Sequence, residues 1–430
     1  MNHTSTKTRS LLRVATAGSV DDGKSTLIGR LLYESKSLMV DQLAAVERAT
    51  TQRGFAGQAA GTLDLSLLTD GLLAEREQGI TIDVAYRYFA TPVRQFILAD
   101  SPGHEQYTRN MVTAASTADV AIVLIDATKG VLTQTRRHAL LSALLHVPRM
   151  IVAVNKMDLV QYDQAVFARI VDELTPFLAT YPQVQAQFIP VSALVGDNIV
   201  AASANMPWYQ GAPLLPLLEG MDAAPQESSA FRFAVQRIAR PTASNPRRGY
   251  QGTVNGGTIA LGDTITVHPA GRSAKVARIV TWDAINVTEQ EHASAERGAA
   301  ISLELDTQID VSRGDVLVHT SSPATVATTF SANLCWMDDA PANLDHGYTL
   351  KLGTHVAPVE LGDIDGIFDL SAGGLTQQAG ALTLNTLARV RLKARRPLAL
   401  DAYAANRHTG SFVLIDEVSN RTVAAGMVVA

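Results

Sequence analysis

The sequence predicts an α/β domain on a mainly parallel sheet, followed by two all-β barrel domains. Three observations carry that prediction. From residue 11 to about 220, short apolar runs alternate with longer stretches of helical spacing, the order that builds βαβ units. Past a plausible linker at 219–230 the helical patterns almost vanish, and β-rich runs follow with turn signals roughly every ten residues, the rhythm of barrels and sandwiches. A chain of 430 residues is also long enough for two or three separate cores.

The candidate strands of the first domain are 12–17, 95–99, 120–125, 150–154 and, later, 188–191. Between them, 25–32 and 134–145 carry helical spacing. The run 121–125 is apolar throughout, as a strand covered on both faces should be. In the β-rich half the turns fall at 255–257, 261–263, 269–271 and 313–315, and Ser321-Ser322-Pro323 is the best internal break. The expected domains are therefore 1–222, 230–322 and 326–430.

Composition narrows the class. Hydrophobic residues make up 47% and charged residues 18%, ordinary values for a soluble globular protein. A net charge of −5 argues against a dedicated nucleic-acid binder, though it is compatible with a local basic patch. With one cysteine, Cys335, no internal disulfide can form, which fits a reducing, cytoplasmic compartment. Its neighbours Leu334, Trp336 and Met337 mark it as a packed core thiol. Residues 1–9 are polar, so no secretory signal is expected. No run reaches the roughly 18 apolar residues of a membrane helix.

The chemistry lies in four short motifs. Gly18, Ser19, Val20, Asp21, Asp22, Gly23, Lys24 and Ser25 spell G-x-x-x-x-G-K-[ST], continued by Thr26, between an apolar strand and a helical pattern. There the backbone can curl its N–H groups around phosphate, aided by the positive end of the helix. Lys24 would reach the β- and γ-phosphates, and the Ser25 hydroxyl would bind Mg²⁺. Asp100, at a strand's carboxyl end, starts D-x-x-G with Gly103. Its carboxylate would hold hydrated Mg²⁺, and Gly103 would give its N–H to the γ-phosphate. His104 follows as the catalytic candidate, a side chain able to orient a water against that phosphate. Asn155, Lys156 and Asp158 form N-K-x-D after the fourth strand. One carboxylate, Asp158, can accept from both guanine N1–H and the 2-amino group, which adenine cannot match. Ser192, Ala193 and Leu194, after the fifth strand, would offer a backbone N–H to guanine O6. Ligands at the carboxyl ends of strands are the rule for such sheets. Between the first two motifs, Thr81 of Glu77-Gln78-Gly79-Ile80-Thr81 would coordinate Mg²⁺ in a segment that switches with the γ-phosphate.

Other candidates carry bland readings. His138 and His146 sit in a helical pattern without partners and read as structural. The cluster Arg391, Lys393, Arg395 and Arg396 reads as a solvated strand face. No pairing of His and Cys at zinc-ligand spacing occurs.

Together these residues resemble the translation-factor GTPases. The loop with Val20-Asp21, the Gly79-Ile80-Thr81 segment, Asp100–His104 and Asn155–Asp158 are similar to elongation factors Tu and one-alpha, as are Arg248–Val254 and Arg313–Leu317 in the β half. Ser19, Asp22 and Gln78 depart from the elongation-factor pattern. The long stretches 18–33, 75–89, 100–111 and 134–138 look instead like the GTPase (large) subunit of sulfate adenylyltransferase. That resemblance implies GTP and Mg²⁺ as cofactors and a smaller partner subunit carrying the ATP and sulfate site, with GTP hydrolysis driving formation of adenosine 5′-phosphosulfate and pyrophosphate. Some relatives carry a C-terminal adenylylsulfate kinase domain; no second phosphate loop follows Ser25, so that domain is either naturally lacking or cut from this sequence. The alternative is an elongation-type GTPase that delivers aminoacyl-tRNA.

Overall fold

The computed structural model describes residues 10–36, 65–68, 83–222, 230–241, 247–283, 288–377 and 380–429. Two compact units divide the chain: Met1–Ala224 with Asp369–Gly374, and Pro225–Phe368 with Leu375–Ala430.

The first unit holds a six-stranded sheet of β1 (Leu11–Ala17), β2 (Ala85–Ala90), β3 (Gln95–Asp100), β4 (Val120–Asp126), β5 (Arg149–Asn155) and β6 (Gln185–Pro190), in the order β2-β3-β1-β4-β5-β6. Every neighbouring pair is parallel except β2 with β3. Among the described residues five α-helices accompany it: α1 (Lys24–Glu34), α2 (Thr108–Ser116), α3 (Thr133–Leu144), α4 (Gln164–Ala179) and α5 (Leu214–Gly220). All seven residues of β4 are buried, which explains its unbroken apolar run. Helix α1 buries Leu27, Ile28, Leu31 and Leu32 in one core with Leu12, Val14, Leu98 and Leu124. Their spacing follows the helical period, so one face carries the whole contact. Each such side chain contributes about 1.5–3 kcal/mol.

Two elements differ from expectation. β6 begins at Gln185, because Gln185 and Gln187 lie on the exposed face of this edge strand and hide its start among polar residues. β2 is an unanticipated antiparallel edge strand, whose Tyr86 and Tyr88 face solvent while Phe89 stacks on Phe96 at 4.6 Å. Because β1 and β3–β6 run parallel, their carboxyl ends open on one edge, where the chemistry gathers.

The second unit contains two closed barrels. The first is built from β7 (Arg232–Ala239), β8 (Gly249–Gly256), β9 (Thr258–Ala260), β10 (Thr264–His268), β11 (Arg272–Asp283), β12 (Thr288–Glu291), β13 (Ser294–Glu296), β14 (Ala300–Leu305) and β15 (Val316–His319). Its sheet runs β10-β15-β7-β8-β14-β11-β12, and a further β10–β11 pairing closes a ring of six strands, with β12 hung on β11. β9 and β13 form a separate ribbon. The second barrel uses β16 (Thr325–Trp336), β17 (Gly347–Leu352), β18 (His355–Phe368), β19 (Leu375–Thr376), β20 (Leu387–Leu400), β21 (Ser411–Asp416) and β22 (Thr422–Val428). Its ring closes through β17–β18, leaving β19 on β18. Closure removes the open edges that a six-stranded antiparallel sheet would otherwise present. Each barrel has its own core.

Between the barrels, Val316, Val318, Ala324 and Ala399 form a small apolar cluster. Beside it Arg232 grips Asp401 with two bonds, Nε to Oδ2 at 2.7 Å and Nη2 to Oδ1 at 2.8 Å. Thr409 donates to the same carboxylate at 2.6 Å, and Arg232 Nη1 donates to Ser322 O at 2.8 Å. A buried pair satisfied this fully holds, whereas either half alone would be a heavy liability. Cys335 lies buried in β16. Arg391, on the exposed face of β20, pairs with Asp363 and Asp365, as a solvated strand face would. No described helix is long and apolar enough to cross a membrane.

Candidate functional site

The phosphate-loop sequence runs from the end of β1 into α1. Gly23 has φ +91°, and a Cβ there would stand 2.4 Å from Asn155 Nδ2, so both the backbone and the neighbour demand glycine. Lys24 is buried, and its Nζ donates to Gly18 O at 2.7 Å and Ser19 O at 2.9 Å. Burial pulls its pKa down, opposed by Asp100 and Asp22. The Asp22 carboxylate is buried and accepts the Ser19 N–H at 2.6 Å. Burial pushes its pKa up, against the pull of Lys24 and that amide. Val20 and Asp21 form the outer turn, with Asp21 left-handed at φ 66°. Ser25 and Thr26 stand in the first turn of α1, which carries no acidic residue to neutralise its positive end.

Asp100 closes β3 in register with Thr16, whose hydroxyl donates to Asp100 Oδ1 at 3.3 Å. The chain then passes so near the phosphate loop that a Cβ on Gly103 would lie 2.4 Å from Lys24 Nζ and 2.7 Å from Gly18 O. His104 is exposed, and its Nδ1 accepts the Gln106 N–H at 3.3 Å. That bond leaves the proton of a neutral ring on Nε2.

The 155–158 and 192–194 loops are tied to the phosphate loop by one side chain. Asn155 Nδ2 donates to Asp22 O at 2.8 Å, and its Oδ1 accepts the Ala193 N–H at 2.9 Å. Ser192 Oγ donates to Asp158 Oδ1 at 2.6 Å, fixing the carboxylate. Lys156 reaches Asp126 Oδ2 at 2.8 Å. Burial alone would raise the Asp126 pKa, but hydrogen bonds from Lys156 and Thr128 win and hold it below the ordinary value. Arg30, from α1, donates to the carbonyls of Ala193 and Leu194.

The structure thus brings together 18–26, 100–104, 155–158 and 192–194. Thr81 and the whole 77–81 segment lie outside the described residues. A serine hydroxyl and one buried carboxylate suit Mg²⁺, which takes one or two carboxylates and completes its shell with phosphate and water oxygens. Among the described residues no group of three His, Cys, Asp or Glu forms a metal cage.

Two residues escaped the sequence reading. Asp126 had a visible signal, a carboxylate ending an apolar strand in register with Asn155. Arg30 had none, since only folding brings a mid-helix arginine to a loop so distant in sequence. His138 proves partnered, correcting the expectation: its Nε2 lies 3.0 Å from Gln134 Nε2, so the ring accepts there. Burial, then Lys24 and Arg137, lower its pKa to about 3, so it is a neutral core residue.

The fold and these joined loops define a phosphate-loop GTPase of the translation-factor class. The Elongation factor Tu GTP binding domain family matches residues 9–227, and the GTP-eEF1A C-terminal domain-like family matches 329–429. The GTPase-like domain of Ski7 from S. cerevisiae, solved bound to GTP, shares the fold with a TM-score of 0.51 at 20% identity over 98% of both chains. Sulfate adenylyltransferase subunit 1 of Laribacter hongkongensis is 48% identical over 98% of this chain and 86% of its own length. The same subunit of Sulfurovum sp. is 47% identical over 98% and 87%. The chain belongs to the sulfate adenylyltransferase subunit 1 family.

Proposed function

We propose that this chain hydrolyses GTP to drive the adenylylation of sulfate by ATP, which yields adenosine 5′-phosphosulfate and pyrophosphate. The observation that supports this reading is the Asn155 bridge, which joins the 18–25 loop to the loops that bear Asp158 and Ala193. The sequence has a single phosphate loop; with guanine as its base, ATP and sulfate belong to a smaller partner subunit. The pair acts in the cytoplasm, in the assimilation of sulfate toward cysteine. The domains are 1–222, 230–322 and 326–430.

In this reading Lys24 neutralises the β- and γ-phosphates while the amides of 18–26 wrap them. Ser25, Asp100 and Thr81 would hold Mg²⁺, which would supply positive charge at the phosphate oxygens. Gly103 gives its N–H to the γ-phosphate, and His104, through Nε2, orients the attacking water. Asp158 accepts from guanine N1–H and the 2-amino group, Lys156 lies along the base, and the 192–194 loop donates to O6. Loss of the γ-phosphate releases Gly103 and the 77–81 segment, and that change reaches the partner. GTP must then favour one state of the complex more than GDP does, since a ligand shifts an equilibrium only by its differential affinity. The test is pyrophosphate release by the chain with its adenylyltransferase partner, with and without GTP. GTP should raise the yield of adenylylsulfate, and an unchanged yield would refute the coupling.

A further inference from the structure

Arg30 projects from the middle of α1, the helix that starts at Lys24, and reaches the base-reading loop. Its Nε donates to Ala193 O at 3.1 Å, and its Nη2 donates to Leu194 O. Glu34, one turn on, steadies Nη1 at 3.4 Å, and the arginine side chain is only 13% exposed. The Ala193 carbonyl and the Leu194 N–H belong to one planar trans peptide, where they point in opposite directions. Holding that carbonyl against α1 therefore turns the Leu194 N–H away from the helix. The preceding donor, Ala193 N–H, is already engaged by Asn155 Oδ1 at 2.9 Å. The Leu194 N–H donates to no acceptor among the described residues.

We propose that Arg30 is a positioning residue for guanine recognition: gripping two carbonyls of the 193–194 turn, it presents the Leu194 N–H to the purine O6. This rests on the guanine reading above and deepens it. One rigid helix then carries the phosphate contacts at its start and sets the O6 contact from its middle. A nucleotide is measured for the distance between its phosphates and its six-position oxygen, not for each separately.

Calorimetric titration of the full chain tests this with four probes. GDP carries both guanine features. The 2-aminopurine riboside diphosphate lacks O6 and, with it, the N1–H that Asp158 would accept; inosine diphosphate lacks the 2-amino group, and ADP presents a donor at the six position. The wild-type chain should prefer GDP over the 2-aminopurine nucleotide by about a hundredfold, the scale of two buried hydrogen bonds, one at O6 and one at N1–H. Arg30→Ala should weaken GDP by about tenfold and leave the 2-aminopurine nucleotide within about threefold, so the preference narrows to about the tenfold that N1–H supplies through Asp158. The GDP-to-inosine ratio, set by Asp158, should stay unchanged. Arg30→Lys retains one donor and should fall between, which keeps the test decisive if the alanine variant folds poorly. The proposal is overturned if the preference for GDP over the 2-aminopurine nucleotide stays undiminished in both variants, or if all four probes weaken equally, the mark of a merely structural tie. A wild-type chain that binds ADP as tightly as GDP would instead sink the guanine reading itself.

Discussion

Replacing Asn155 with alanine removes both arms of the bridge between the phosphate loop and the 192–194 loop. Two partners lose their bonds, Asp22 O at 2.8 Å and Ala193 N–H at 2.9 Å. A buried group left unsatisfied costs about 1–3 kcal/mol, so the pair costs about 2–6 kcal/mol. Water can enter at the loop mouth, which favours the lower part, about 2–4 kcal/mol. The loops keep their complementary shape only while joined, so the cost is felt as weaker nucleotide binding. At 1.4 kcal/mol per factor of ten, GDP affinity should fall roughly 30- to 700-fold. Calorimetric titration measures it, with circular dichroism confirming that the helices remain. Asn155→Asp is the stricter control: it keeps an acceptor for Ala193 but sets a second oxygen against Asp22 O, so it should bind no better than the alanine variant. An Asn155→Ala protein that stays folded and binds GDP within about threefold of wild type would show that the bridge does not organise the site.

Three further outcomes follow from named contacts. Gly103→Ala places a methyl where Lys24 Nζ and Gly18 O stand, at 2.4 and 2.7 Å, so GTP turnover should drop at least about tenfold; full turnover would mean the loop yields freely. Asp401→Ala strands the buried Arg232 charge at a cost of about 3–5 kcal/mol, lowering the melting temperature of the second unit by roughly 10 °C or more in calorimetry. Replacing Arg232 with Met and Asp401 with Leu together should recover most of that loss. His138, with a pKa lowered from 6.5 to about 3 by burial first, binds no proton in the fold while the unfolded chain does. Stability therefore falls as pH drops below 6.5, by roughly 2 kcal/mol between pH 6.5 and 5. His138→Gln should remove that part of the slope. Urea unfolding followed by helical circular dichroism checks it, since every described helix longer than the turn Arg407–Gly410 lies in the first unit.

Much of the fold was legible because its signals are local. The apolar β4, the glycine-marked turns at 255–257, 261–263, 269–271 and 313–315, and the break at 321–323 all fall where strands begin or end. β2 was not legible: its tyrosines face solvent and its period resembles a loop's. Neither was the six-strand closure, since β10–β11 and β17–β18 pairings depend on register rather than composition. In the site, the motifs gave residue types and order, because chemistry restricts them strictly. What joins them was partly hidden. Asn155 carries its bridging role in its motif, but Asp126 and Arg30 act through partners that only tertiary structure supplies.

The doubly bonded Arg232–Asp401 pair has a practical corollary for anyone who would take this chain apart. A cut after Ser322 looks natural from the sequence, yet it severs a guanidinium from its counter-ion. Either half, expressed alone, inherits a polar wound on a face built to be dry. The two barrels should therefore be inherited, engineered and transplanted as a pair.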